Sequence, residues 1–360
     1  ILFLISFGLI TLYSTSAYNG QVKFHDAAYY FKKQLFATIL GAILMCGISK
    51  MDYHIFEKFA VSGYICSLLL STAVLFFGDS YNGSKRWLSL GPLSFQPSEF
   101  AKVAVILFLA YVISKIQGRY RDDINKPTRL LIIVAVLALP LLLIIKQPDY
   151  GTAMAFCIAL AMMLFTAGLD KKYIIGAITI AIISIPILYN FILPEHAKKR
   201  IDIYLNPESD PRGSGYNIIQ SKLAIGAGRL TGMGLLKGNQ TQLGYLYPKT
   251  TDFIYSVIGE EMGFIVAGTI IVLYTFLVTK AFYIAKTAKD NIGSLIASGI
   301  AGVFLFHMVE NIGMVMGLLP ITGVPLLFIS YGGSSLITSY ILIGLLLNIS
   351  GKRQKTIFVK

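Results

Sequence analysis

Ten apolar runs dominate this sequence, and no other feature limits its fold as strongly. They cover residues 1–17, 34–50, 59–77, 99–115, 129–146, 152–168, 173–193, 253–280, 294–318 and 325–349. A helix needs about 20 mostly apolar residues to cross a bilayer, where each backbone polar group must be satisfied internally. Charged residues make up 14% of the 360 and hydrophobic ones 55%, against about 25% and about 45–50% in soluble domains. A compact water-soluble domain could not hide that much apolar surface. The expected fold is therefore an all-α polytopic membrane protein with ten transmembrane helices. Its domain organisation reads as one membrane unit over residues 1–360: seven spans in 1–193, a loop over 194–252, and three spans in 253–360. The chain opens inside an apolar run with no small-residue cleavage site after it, which reads as a first span and not as a signal peptide.

The net charge of +13 would suggest nucleic acid in a soluble protein. Here the basic residues sit in short clusters between apolar runs, which fits topology and anionic lipid, so no nucleic-acid partner is expected. With a cytoplasmic C-terminus, the inner segments carry 16 Lys and Arg and the short outer loops 6. That bias predicts both termini inside and the 194–252 loop outside. Residues 216–225 of this loop have apolar residues at helical spacing, and six glycines follow between Gly226 and Gly244. Cys46, Cys66 and Cys157 lie in apolar stretches and imply no disulfide framework.

Ionisable residues within or at the mouths of spans are expensive and mark function. Asp122, Asp123 and most other acids fall in loops and read as solvated. Asp252 stands where the glycine-rich loop meets the eighth span, near Lys249. Two roles are open to it: capping the helix, or acting as a general base at the outer mouth of the bundle. Glu260 and Glu261 lie deeper in the same run and cannot both face lipid, so at least one should meet a basic residue, a Gln or water. Glu310 and Asn311 pose the same question in the ninth span, and His307 reads as a packed donor.

Pro97 suits a first helical turn, Ser98 and Glu99 could accept from its free N–H groups, and Glu99 and Lys102 share a helix face. With Lys85, Arg86 and Trp87 ahead of them, these residues could bind a phosphate or pyrophosphate headgroup or simply anchor the protein to lipid. Gln147 and Asp149 occupy another outer loop tip, where Lys146-Gln147-Pro148-Asp149-Tyr150-Gly151 stops a helix. Leu318 to Ser335 contains small and hydroxyl residues suited to close helix packing or to a broken helix lining a cavity. The four histidines have no ligand spacing, and there is no nucleotide-binding loop or serine elbow. No cofactor is required by these residues. The only energy source visible is the substrate itself.

Several of these pieces together resemble the SEDS family, which contains RodA, FtsW and SpoVE. They are Lys85-Arg86-Trp87, Gln96-Pro97-Ser98-Glu99 with Lys102, Gln147-Pro148-Asp149 with Gly151-Thr152, and Gly215-Tyr216-Asn217 through Gln220 to Lys222. Asp252-Phe253-Ile254 with Gly259 to Phe264, and Gly317-Leu318-Leu319-Pro320 to Ser335, complete the set in the family's order. The stretches at 217–222 and 238–243 look more like RodA. The resemblance implies a peptidoglycan glycosyltransferase that polymerises lipid II on the outer leaflet and releases undecaprenyl pyrophosphate. Asp252 would be the catalytic base in an inverting, β-1,4-forming transfer. Arg86 and Lys102, with Lys249, would offset charge on the leaving group, while Glu99 and Asp149 would orient a base or hold a divalent cation such as Mg²⁺ or Mn²⁺. Ser330, Tyr331 and Ser334 would shape the substrate cavity. The family works with a class B penicillin-binding protein alongside other elongation or divisome membrane proteins. The chain departs from the family at Lys249 and Thr251, where Glu and His are usual, and at Gly228-Arg229, where Gly-Gly is usual. A lipid II flippase and a non-catalytic scaffold are the rival readings. The flippase would tolerate Asn at position 252, and the scaffold would be indifferent to it.

Overall fold

The structure is a computed structural model describing all residues except 25, 27, 82–83, 91–92, 119–123, 212 and 353–360. Asp122, Asp123 and the basic C-terminal end beyond Lys352 thus lie outside the described residues. Helices follow the predicted runs closely: α1 Leu2–Phe24, α2 Tyr29–Lys50, α3 Tyr53–Lys58, α4 Ala60–Phe77, α5 Pro97–Gln117, α6 Pro127–Lys146, α7 Tyr150–Ala167 and α8 Lys171–Ile187. They continue with α9 Glu195–Leu205, α10 Ser214–Ala227, α11 Asn239–Gln242, α12 Ile254–Thr287, α13 Asn291–Val315 and α14 Gly333–Gly351. Among the described residues seven of these (α2, α4, α6, α7, α12, α13 and α14) are long and apolar enough to cross a membrane. The other three predicted spans are also helical, as α1, α5 and α8, but do not reach that length and apolarity on their own. The protein is an all-α multi-pass membrane protein.

Four local features differ from the sequence reading. The 78–98 segment forms a small antiparallel sheet, β1 Asp79–Tyr81, β2 Ser84–Leu90 and β3 Leu93–Phe95 in that order. The 194–252 loop holds α9 and α11 as well as the expected α10. The last helix starts at Gly333, so Ser330 and Tyr331 belong to the loop ahead of it and not to a span. Finally, α12 is broken at Gly263, whose φ of 78° and ψ of −178° are not helical. The 24 residues of Phe264–Thr287 would by themselves run about 36 Å, enough to cross a bilayer. Ile254–Met262 is a separate polar-bearing piece.

The chain folds as two compact units. One contains Ile1–Phe31, Leu169–Val272 and Met308–Tyr331; the other contains Lys32–Gly168, Leu273–His307 and Gly332–Lys360. The second unit is built around α5, where Ala101, Ala104, Ile106, Leu109, Ala110 and Ile113 are all buried. Small residues bring its helices together. At Gly302 of α13 a Cβ would stand only 3.0 Å from the Ala159 backbone in α7, so the glycine is what allows the approach. In the first unit, residues 228–234 run along the broken α12. Met233 and Gly234 donate backbone bonds to Glu260 O (2.9 Å) and Glu261 O (3.0 Å), and Phe264 and Ile265 donate to Arg229 O (2.8 Å) and Leu230 O (3.1 Å). The Gly263 break frees those groups, and the loop satisfies them. A side chain at Gly232 would collide with Glu261 O, and its φ of 83° is itself a glycine conformation.

Candidate functional site

In the second unit, β2 and the starts of α5 and α7 bring their polar residues together. Successive strand residues face opposite ways, which separates the basic pair: Lys85 is exposed, whereas Arg86 turns inward. Arg86 donates to the Pro148 carbonyl and stands 3.5 Å from Asp149 Oδ1. Asp149 caps α7 by accepting from the Thr152 N–H at 3.4 Å, and its other oxygen accepts from Ser98 Oγ at 3.4 Å. The expectation that Ser98 and Glu99 cap α5 does not describe what they do. Pro97 does occupy the first turn, but Ser98 reaches Asp149, and Glu99 Oε1 pairs with Lys102 Nζ at 2.9 Å. Lys102 Nζ also lies 3.2 Å from His307 Nε2 on α13. Glu99 and Lys102 are 2% and 1% exposed, so Lys102 is an enclosed strut between two helices. Gln147 donates to Ser71 O at 2.9 Å, a structural tie to α4, and Ser334 at the head of α14 accepts from the Gln96 N–H at 3.2 Å. Trp87 sits on β2, half-buried.

Two buried atoms in this group have no hydrogen-bond partner: the Arg86 Nε–H donor and the Glu99 Oε2 acceptor. A buried polar atom left unmatched costs about 1–3 kcal/mol. Such atoms are natural points for substrate or water to engage. The group does not offer a cage for a divalent cation. Among the described residues no three His, Cys, Asp or Glu side chains cluster as ligands. Glu99 Oε1 and Asp149 Oδ1 already face Lys102 and Arg86.

The first unit carries Asp252. The three consecutive carbonyls of Thr250, Thr251 and Asp252 each accept a bond from a different residue: the Tyr331 N–H (2.9 Å), Ser330 Oγ (2.8 Å) and Asn311 Nδ2 (2.9 Å). Asn311 Nδ2 also donates to Val324 O at 2.8 Å, and Ser330 Oγ accepts from the Leu326 N–H at 2.8 Å. These bonds tie the backbone on which Asp252 sits to α13 and to the loop ahead of α14. Asp252 itself is half-buried, and its Oδ2 lies 3.4 Å from where a Cβ on Gly323 would sit, an ordinary contact distance; the φ of 76° at Gly323 is what favours glycine there. Glu310 accepts from Thr322 Oγ1 at 2.7 Å, and Arg200 on α9 donates to Ile321 O and Thr322 O, bracing the same loop.

Glu260 and Glu261 are held by neutral donors. Glu260 accepts from the Gln240 N–H (2.7 Å), the Thr241 N–H (3.0 Å) and Thr241 Oγ1 (2.6 Å). Glu261 accepts from Ser14 Oγ on α1 (2.5 Å) and Gln242 Nε2 (2.7 Å). Lys249 is 1% exposed and donates to Thr241 O at 2.6 Å. Burial pushes its ammonium pKa down, and the charges of Glu261 and Glu260 pull it back up. Lys222 on α10 is exposed, with its stem against Gly317, and Gln220 precedes it half-buried on the same helix. The buried polar side chain of that motif is Ser221, which the sequence reading passed over: its Oγ donates to Val315 O and meets Ser256 Oγ, both at 2.6 Å. Ser14, Thr241 and Gln242 were missed as well. Their only signal was polar residues in or beside an otherwise apolar setting. Tyr331 stacks edge-on against Tyr30 at 4.9 Å between centroids.

A multi-pass helical membrane protein with buried, ordered carboxylates and a braced Asp at a loop–helix junction is what the fold and site define. Over residues 1–355 the chain matches the FtsW/RodA/SpoVE family, described as cell cycle protein, and it belongs to that family. It is 41% identical over 350 residues to the probable peptidoglycan glycosyltransferase FtsW of Trichlorobacter lovleyi, covering 96% of this chain and 90% of that one. It is 37% identical over 317 residues to the peptidoglycan glycosyltransferase MrdB of Escherichia coli K12, covering 88% and 84%. Among solved structures it resembles a chain from a peptidoglycan synthase complex described as coordinating polymerization and crosslinking, with a TM-score of 0.78, 27% identity and 98% and 97% of the two chains covered. It also resembles the rod shape determining protein RodA of Thermus thermophilus, with a TM-score of 0.71 at 25% identity over 98% and 95%. Relatives with the FtsW, MrdB and RodA names all match over most of their length, so they do not separate a division role from an elongation role.

Proposed function

We propose that this protein is a peptidoglycan glycosyltransferase that polymerises lipid II into β-1,4-linked glycan on the outer leaflet, in the elongation of the cell wall. Asp252 accepts the proton of the acceptor's GlcNAc 4-hydroxyl. That oxygen attacks C1 of the donor's MurNAc, the bond to the diphosphate breaks with inversion, and undecaprenyl pyrophosphate leaves. The bracing of three successive carbonyls around Asp252 carries this reading. A general base must stand about 2.6–3.2 Å from the oxygen whose proton it takes, held to about 0.5 Å, and such bonds give a loop that precision. Arg86, partly open and with a free Nε–H, is the cation suited to the departing diphosphate, while Lys102 holds its surroundings in place. A divalent ion, where one is needed, would arrive on that diphosphate. Both termini are cytoplasmic on the Lys and Arg bias, and the 194–252 loop faces outward. A class B penicillin-binding protein is the partner that crosslinks the product.

The test uses purified protein and labelled lipid II, with and without the penicillin-binding protein whose transpeptidase is blocked, and follows glycan on a gel. Wild type makes polymer, and the folded Asp252→Asn variant loses at least about 100-fold of the rate, the usual scale for a general base. Equal polymer from both would remove Asp252 from the reaction. No polymer from the competent complex would turn the assignment toward transport or scaffolding.

A further inference from the structure

The strip of chain that satisfies the break in α12 ends in a turn that water should not favour. Residues 234–237 form a tight turn closed by the Lys237 N–H on Gly234 O at 3.1 Å, with Leu235 and Leu236 at its two corners. Leu236 has a φ of 64°, the left-handed conformation that Gly or Asn takes readily and that a side chain such as Leu resists. Both leucines are 47% exposed. An unfavourable backbone conformation is therefore used to present two large apolar side chains at a tip. They are not isolated, because the strip is hydrogen-bonded directly to Phe264 and Ile265, the first residues after the Gly263 break, which are 68% and 58% exposed. Leu230 beside them is 65% exposed. The apolar surface of the loop thus continues the apolar surface on which α12 begins its crossing.

Charge says what covers it. From Lys222 to Thr251 the chain carries Lys222, Arg229, Lys237 and Lys249 and not one Asp or Glu. Arg229 and Lys237 flank the turn and are both exposed. Apolar tips with cations beside them are the pattern of a segment lying in the bilayer interface, with leucines among the acyl chains and cations at phosphate depth. We propose that the Leu235-Leu236 turn is a membrane anchor that dips into the phospholipid leaflet at the Gly263 end of α12, with Arg229 and Lys237 binding anionic headgroups. This does not depend on the reaction proposed above.

Trp87 is the sequence's single tryptophan, so Leu236→Trp in a Trp87→Phe background makes a unique reporter. The protein would be placed in nanodiscs of phosphatidylcholine and phosphatidylglycerol. The expected result is blue-shifted emission that is lost with lipids brominated near the headgroup end of the chain, lost less with bromine at the chain terminus, and little quenched by acrylamide. Water-like emission that acrylamide quenches and bromine does not would overturn the anchor, as would protection appearing only on addition of a partner protein. A second reporter covers failure of the Trp87 variant to fold: a nitroxide on Leu236→Cys, with Cys46, Cys66 and Cys157 changed to Ala. It should collide more with oxygen than with a water-soluble nickel chelate, and the reverse order refutes the proposal. The headgroup half is read separately. The pair Arg229→Gln and Lys237→Gln should lower the phosphatidylglycerol retained through purification, and unchanged retention would overturn that half.

Discussion

The two units of this protein bury carboxylates by opposite means. In the unit built on α5, Glu99 and Asp149 are matched by cations, Lys102 and Arg86, with His307 on the far side of Lys102. In the unit that carries Asp252, Glu260, Glu261 and Glu310 accept from hydroxyl, amide and backbone N–H donors. A cation partner gives a large Coulomb term but must itself be taken out of water, so the pair depends on both members being present. Neutral donors give smaller individual terms and hold geometry through several directional bonds, while Lys249, the buried cation that feels Glu260 and Glu261, donates a hydrogen bond to Thr241 O. The first arrangement makes a rigid clamp between helices. The second ties the 240–242 segment and Thr322 to carboxylates carried on α12 and α13.

The contrast can be broken most visibly at Lys102. Lys102→Met should cost about 3–5 kcal/mol, because Glu99 is then a buried charge without its counterion. Adding Glu99→Gln should return a good part of that loss, a non-additivity readable as a partial recovery of thermal stability in detergent. Additive losses would mean that the two side chains do not function as a pair. A smaller effect is expected in the neutral-donor unit. Asn311→Ala removes donors from Asp252 O and Val324 O and should cost about 1–3 kcal/mol. If the bracing positions Asp252, turnover in the proposed reaction should fall by more than that stability loss explains, with kcat falling while KM stays near wild type. A change in KM alone would make Asn311 a packing residue only.

The smallest effect is a pH trend at Lys249, the buried cation nearest in sequence to Asp252. Burial lowers its folded pKa below the unfolded value, about 10.4 for a free lysine, so between the two the unfolded state binds more protons. Stability therefore rises with pH across that alkaline window, and the penalty of the buried charge is fully present below it. Compared with Lys249→Met, wild type should become relatively more stable as pH is raised toward the unfolded lysine pKa. Parallel curves for the two proteins would show that Lys249 is not held at a cost.

Much of the architecture was legible beforehand because span length and apolarity are local properties. The helix breaks at 146–151 and the start of α5 at Pro97 needed only Pro, Gly and charge in a row. The acids at 260 and 261 were recognisable as unable to face lipid, and Gln242 supplies one of the partners that reasoning required. Their other partners were not legible. Ser14 is 247 positions from Glu261, and nothing in Tyr13-Ser14-Thr15-Ser16 distinguishes a hydrogen-bond partner from a serine bonded to its own helix. The same holds for Lys102 and His307, 205 positions apart. The sheet at 79–95 was missed because its strands are short and the surrounding composition favours a loop.

What this sequence determined alone is the solvent it folds in, the all-helical architecture and the family, since these rest on run length, charge distribution and motifs in order. Tertiary structure decided which polar residues meet. It turned Ser98 and Glu99 from caps into partners of Asp149 and Lys102, enclosed Lys102, and fastened the three carbonyls at Asp252. It also broke α12 at Gly263, where the glycine-rich loop replaces the helix's own hydrogen bonds. The physical reason is range. Hydrophobic length acts along the chain and can be read there, whereas a hydrogen bond or ion pair exists only where distant segments arrive within about 3 Å of each other.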